Sequence, residues 1–223
     1  MFVTAGEARL WDTAGRKQTG DFEGLTQWAR SVAFSPDGGT LATGGGRLLR
    51  SGEVRLWSVG DSKEPVALAG LRDEVLCVAF SPDGKTLATA GRDMAVRLFD
   101  ASDGKPGPVL RGHTAEVFFV GYAGAGAIVS AGLDNTVRFW DTAAGRQTGE
   151  IYDPTWPMPQ RRDGEVFSVA LSPDGKQLAL GTLYGRIKLW KVDETLLRSR
   201  TPLDPTVRMR PGSYAVRLPT LPR

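Results

Sequence analysis

Three residues in the middle of the chain have the types that nucleophilic chemistry uses. His113, Ser130 and Asp134 supply an imidazole, a hydroxyl and a carboxylate. A base oriented by a carboxylate and set beside a hydroxyl activates serine for acyl transfer, so the set raises a triad hypothesis. His113 is the single histidine of the chain, which rules out a histidine metal cluster or a second imidazole base, and no metal or cofactor site is expected. Cys77 is the single cysteine and forms no internal disulfide. It lies in the apolar run Val75-Leu76-Cys77-Val78-Ala79-Phe80, where it reads as a small buried hydrophobe. Gly84-Lys85-Thr86 imitates the end of a phosphate-binding loop, but Ala79 stands where its first glycine is required. Gly44-Gly45-Gly46 and the Gly121–Gly126 segment open no helix and read as tight turns.

The elements that position these residues follow from a repeat. Ser-Pro-Asp-Gly occurs at Ser35–Gly38, Ser81–Gly84 and Ser172–Gly175; the first two copies are 46 residues apart and the third lies 91 further on. A degenerate copy, Tyr122-Ala123-Gly124-Ala125-Gly126, fills the gap. Alternating apolar runs precede each turn, from Val32, Val75, Val117 and Val166, and a second strand follows it. Proline fixes φ, aspartate bonds its own backbone and glycine accepts positive φ, so the chain reverses into a hairpin. A third strand carries an aromatic residue in every unit: Trp11, Trp57, Phe99, Trp140 and Trp190, spaced 46, 42, 41 and 50 residues apart. A fourth, more polar strand closes most units, as at Arg146–Glu150.

Four short antiparallel strands every 40 to 50 residues, with Trp-Asp dipeptides at Trp11-Asp12 and Trp140-Asp141, resemble the WD40 repeat family of β-propellers. The uninterrupted Ser-Pro-Asp-Gly turns look most like those of its bacterial members. The resemblance spans residues 1–198, as units 1–23, 24–69, 70–110, 111–152 and 163–198, with a Pro-rich insertion at 153–162 and a basic tail at 199–223. It implies an all-β fold of four-stranded blades, about five in number. It also replaces the triad by a structural hydrogen-bond relay from His113 through Asp134 and Ser130 to the Trp140 indole. The relay is incomplete elsewhere: Thr89 and Asp93 stand with Phe99, Thr43 with Ser51, and Leu180 with Tyr184.

The resemblance further implies a non-catalytic scaffold for a protein or peptide partner, with partner-facing positions at the start of each inner strand and before the turn aspartate. Here these are Trp28 and Arg30, Glu74 and Leu76, Glu116 and Phe118, Glu165 and Phe167, with Arg92 and Leu133. Trp28 and Arg30 are of types that dominate binding hot spots. Leu76, Phe118 and Phe167 equally suit packing of blade on blade. Glutamate at three of the four matched positions predicts a partly acidic face that favours a basic peptide. In the insertion, Trp156 with Arg161 and Arg162 offers a second contact, and the Trp156 indole equally suits folding back onto its own blade.

The +3 net charge is uneven, since residues 191–223 carry +4 and leave the remainder at −1. The basic tail lacks the interleaved aromatics that stack bases, so a nucleic-acid partner is not expected. No apolar run approaches the ~20 residues of a membrane helix and no signal segment is visible, so no membrane contact and a cytoplasmic location are expected. Unit one lacks its innermost strand and no sixth unit follows Trp190. The sequence thus predicts an open or partial propeller whose free edges invite self-association, with Tyr214–Leu218 a candidate for the missing strand. The alternative reading is a regulatory or sensor segment of a larger protein, such as a kinase or protease.

Overall fold

The computed structural model describes residues 3–4, 7–12, 14–22, 28–47, 51–61, 63–124, 126–152, 166–172, 174–182 and 187–192. They form eighteen strands and no helix. The first sheet has three strands, β1 (Val3–Thr4), β2 (Glu7–Asp12) and β3 (Lys17–Phe22). The second comprises β4 (Trp28–Phe34), β5 (Thr40–Gly46), β6 (Gly52–Ser58) and β7 (Val66–Ala67). The third comprises β8 (Val75–Phe80), β9 (Thr86–Gly91), β10 (Ala95–Asp100) and β11 (Pro106–Arg111). The fourth comprises β12 (Val117–Tyr122), β13 (Ala127–Gly132), β14 (Thr136–Asp141) and β15 (Arg146–Tyr152). The fifth has β16 (Val166–Leu171), β17 (Gln177–Thr182) and β18 (Ile187–Lys191). Each sheet is an antiparallel meander in chain order.

The Ser-Pro-Asp-Gly turns repeat one hydrogen-bond design, in which the serine matters as much as the aspartate. Ser81 Oγ donates to Asp83 Oδ1 (2.6 Å) and accepts from the Thr86 amide (2.9 Å), while the Lys85 amide donates to Asp83 Oδ1 (3.1 Å). Ser35 with Asp37 and Ser172 with Asp174 do the same. These serine bonds hold all three carboxyls below the usual aspartate range. Gly38, Gly84 and Gly175 sit at φ 72°, 71° and 70°, which a side chain would strain.

Period-two alternation gives every sheet two apolar sides, and consecutive sheets stack through them. On β13, Ile128 and Ser130 face the third sheet, and Val129 and Ala131 face the fifth. Across that first interface, Ile128 and Trp140 lie on Ala88, Ala90, Val96 and Leu98. Each interface therefore has a leading side, carrying the third-strand aromatic, and a trailing side that carries an apolar pair from the third strand. Equivalent clusters join the first and second sheets around Leu41 and Trp57, and the second and third around Leu87 and Phe99. The innermost strands β4, β8 and β12 pack side by side. Among the described residues no sheet closes on itself; the candidate strand at 214–218 lies outside them.

Candidate functional site

The four polar residues of the middle region converge between the third and fourth sheets. The Trp140 indole N–H donates to Ser130 Oγ (2.8 Å), and Ser130 Oγ lies 2.7 Å from His113 Nε2. His113 Nδ1 is 2.9 and 3.0 Å from the two oxygens of Asp134. The carboxylate only accepts, so His113 Nδ1 donates to it, while Ser130 Oγ accepts from the indole and shares a second hydrogen bond with Nε2. Asp134 also accepts from the Thr114 amide (2.9 Å), the Thr136 amide (3.1 Å) and Thr136 Oγ1 (2.8 Å). Burial alone would raise its pKa, but His113 and these donors outweigh burial and hold it at about 2.

The composition is that of a triad; the geometry is not. Ser130 is 0% exposed and its oxygen is engaged on both sides, by Trp140 and by His113. A nucleophile needs a face open to substrate, and this hydroxyl has none. The relay is cut down elsewhere. In the second sheet Trp57 Nε1 donates to Thr43 Oγ1 (2.9 Å). In the fifth, Leu180 takes the serine position and the buried Trp190 Nε1 has no partner.

A second convergence lies at the end of the sheets opposite the Ser-Pro-Asp-Gly turns. Each inner strand there carries one extra residue that its neighbour does not match. Ala29 and Ser31 pair with Gly45 and Gly44, leaving Arg30 over. In the same way β8 leaves over Leu76, β12 Phe118 and β16 Phe167. Four bulges thus stand at one register position, and a bulge re-aims the side chain it leaves over. Two backbone bonds tie the neighbouring turns to it, Arg92 N to Glu74 O (3.0 Å) and Leu133 N to Glu116 O (2.8 Å).

Charged side chains join the blades along this rim. Glu74 is 1% exposed and accepts from Arg30 Nε and Arg92 Nε, each at 2.7 Å, and Arg92 reaches on to Glu116. Burial opposes ionisation of Glu74, but the two guanidiniums prevail and lower its pKa. The Arg30 guanidinium also lies 5.4 Å from the Trp28 ring centre, within cation–π range. Of the three glutamates expected on this face, Glu74 is buried and doubly paired and Glu116 is paired with Arg92, so these four side chains sum to no net charge. Trp28 and Leu133 are exposed, whereas Phe118 packs in part against the fourth-to-fifth interface. Met94 is a rim residue that the sequence reading missed; it is exposed beside Arg92 at φ 61°, where Asn135 sits at 62° in the next blade. An unbranched apolar residue after a turn aspartate was the available signal. The Phe167 side chain and all of Glu165, Trp156, Arg161 and Arg162 lie outside the described residues.

At the turn end, an open cleft of about 490 Å³ lies between the second and third blades, lined by Asp37, Asp83, Asp100 and Lys85 among others. No relay or rim residue lines it.

Face-stacked antiparallel meanders of up to four strands are propeller blades, and a blade array is the class that this architecture defines. The WD domain, G-beta repeat model matches residues 16–58, 67–100, 104–141 and 158–191, and the chain belongs to the WD40 repeat family. It is 36% identical over 112 residues to WD repeat-containing protein VIP3 of Arabidopsis thaliana, covering 47% of this chain and 35% of that protein. It is 32% identical over 109 residues to Coronin-7 of Rattus norvegicus (45% and 11%) and 37% over 90 residues to Periodic tryptophan protein 2 of Arabidopsis thaliana (40% and 9%). The matched stretch thus spans about a third or less of each relative. Membership implies a protein-interaction scaffold, a role that is generally non-catalytic, and protein partners in general.

Proposed function

We propose that the chain binds a protein or peptide partner through the bulged rim, with Trp28 and Arg30 as its anchors. One observation carries this reading: the four inner-strand bulges stand in the same register, at Arg30, Leu76, Phe118 and Phe167, and Arg30, Leu76 and Phe118 are turned toward a common edge. Bulges weaken a ladder locally, and repetition at one edge favours a use for the re-aimed side chains. Trp28 is 57% exposed beside an arginine, and aromatic and arginine residues are the usual hot spots of interfaces. We assign no catalytic step to the chain and place its work in the cytoplasm. A second reading, a scaffold segment within a larger regulatory protein, is favoured by the small share of Coronin-7 that the chain matches.

The test is affinity capture from the native cell with wild type and with the double variant Trp28→Ala/Arg30→Ala, both folded by circular dichroism. Loss of a captured protein at least tenfold supports the assignment. Retention of every captured partner by the double variant overturns it.

A further inference from the structure

Along the chain, the trailing side of one blade is covered by the leading side of the next. An apolar pair on the third strand, two residues apart, marks the trailing side. It is Val54 and Leu56 in the second blade, Val96 and Leu98 in the third, and Val137 and Phe139 in the fourth, and none of these exceeds 4% exposure. Strand register identifies the equivalent pair in the fifth blade. Leu189 pairs with Ala179 and Ile187 with Gly181, as Phe139 pairs with Val129 and Val137 with Ala131. Yet Ile187 is 68% exposed and Leu189 39%. On the inner strand beside them Ser168 and Ala170 are exposed as well. Small residues on the inner and middle strands with an aliphatic pair beyond them make the shelf on which Trp140 sits in the third-to-fourth interface.

The leading side has its own marker, the third-strand aromatic. Trp57, Phe99 and Trp140 are 6%, 2% and 1% exposed, whereas Trp11 of the first blade is 42% exposed. Among the described residues the fifth blade therefore carries an exposed shelf and the first an exposed aromatic of the kind that fills such shelves. Exposed apolar surface of this sort marks an interaction site.

We propose that the two surfaces meet between copies of this chain: the Trp11 side of one copy docks head to tail on the Ile187 and Leu189 side of another. The contact is heterologous, two different patches in one interface, so it adds copies in one direction until a ring closes or a chain of copies grows. It repeats a packing that the fold already makes within one chain and requires no new kind of contact.

Sedimentation velocity of the full chain over a rising concentration series tests this. Wild type should pass from one copy to two and more, while Leu189→Glu and Trp11→Glu should each stay monomeric. Both positions are exposed, so both variants should keep the wild-type circular dichroism spectrum; Ile187→Lys replaces Leu189→Glu if that variant does not fold. An equimolar mixture of the two variants is the discriminating sample, because each keeps the side that the other has lost. It should form a one-to-one dimer and go no further. A wild type that stays monomeric throughout overturns the proposal, as does association that survives in both single variants or a mixture that remains monomeric. None of these outcomes depends on the bulged rim.

Discussion

At Ser130 Oγ two hydrogen bonds meet, and with no surface open to solvent the hydroxyl serves to join β13 to β14 and to the segment before β12. Removing it strands two buried polar groups at once, the Trp140 indole and His113 Nε2. Ser130→Ala should therefore lower unfolding free energy by about 2–4 kcal/mol, read from urea denaturation. The two indoles give a paired comparison. Trp140→Phe removes a satisfied donor and volume and should cost about 2–3 kcal/mol, whereas Trp190→Phe removes a donor that has no partner and should cost less than about 1 kcal/mol. Asp134 makes the fourth blade acid-sensitive. Its folded pKa of about 2 lies below its ordinary 3.8, so its contribution is full above that value and is lost as pH falls toward 2. The loss is on the order of 2 kcal/mol, and it should disappear from the stability-against-pH curve of Asp134→Asn. The relay was legible through the family resemblance, whose matching positions all fall within one unit. The Arg30, Glu74, Arg92 and Glu116 ladder was not, since it joins three units and only the stacking of blades brings it together.

Strands were legible from alternation, and turns from Pro-Asp-Gly, because both depend on neighbours in sequence. The bulges depend on pairing, and no local pattern announces that Leu76 or Phe118 will be passed over by its partner strand. Their imprint falls instead on the opposite strand. A Cβ placed on Gly91 would stand 2.3 Å from the Glu74 carbonyl oxygen, a backbone atom that cannot turn aside. Gly91→Ala should force the start of β8 away from β9 and cost about 2 kcal/mol or more, and the same chemical denaturation measures it. The turn after β9 carries a strain that works the other way. Met94 at φ 61° occupies a conformation that asparagine tolerates far better, as Asn135 does at the equivalent position. Met94→Asn should raise stability by about 0.5–1 kcal/mol. If the exposed Met94 side chain belongs to the partner surface, that same variant binds more weakly while melting higher.

Stacking by neighbours gives the whole molecule a one-dimensional energetics, in which each blade is stabilised by the blades it touches. The four apolar clusters each join one consecutive pair of sheets. Among the described residues the second, third and fourth blades are covered on both sides, whereas Trp11 in the first and Ile187 and Leu189 in the fifth are exposed. Local opening should therefore be graded along the chain rather than concerted. Hydrogen exchange followed by mass spectrometry should find β5, β9 and β13 the slowest, because their side chains are buried on both faces, and β2 and β18 the fastest of the described middle and third strands. A truncation at the central interface, Ile128→Ala, should cost about 2–4 kcal/mol. It should also speed exchange in β9 as well as β13, because Ile128 is buried against Ala88 and Ala90. Uniform protection across all five sheets, collapsing together in Ile128→Ala, would instead show a single cooperative unit and remove the basis for treating the blades as separable neighbours.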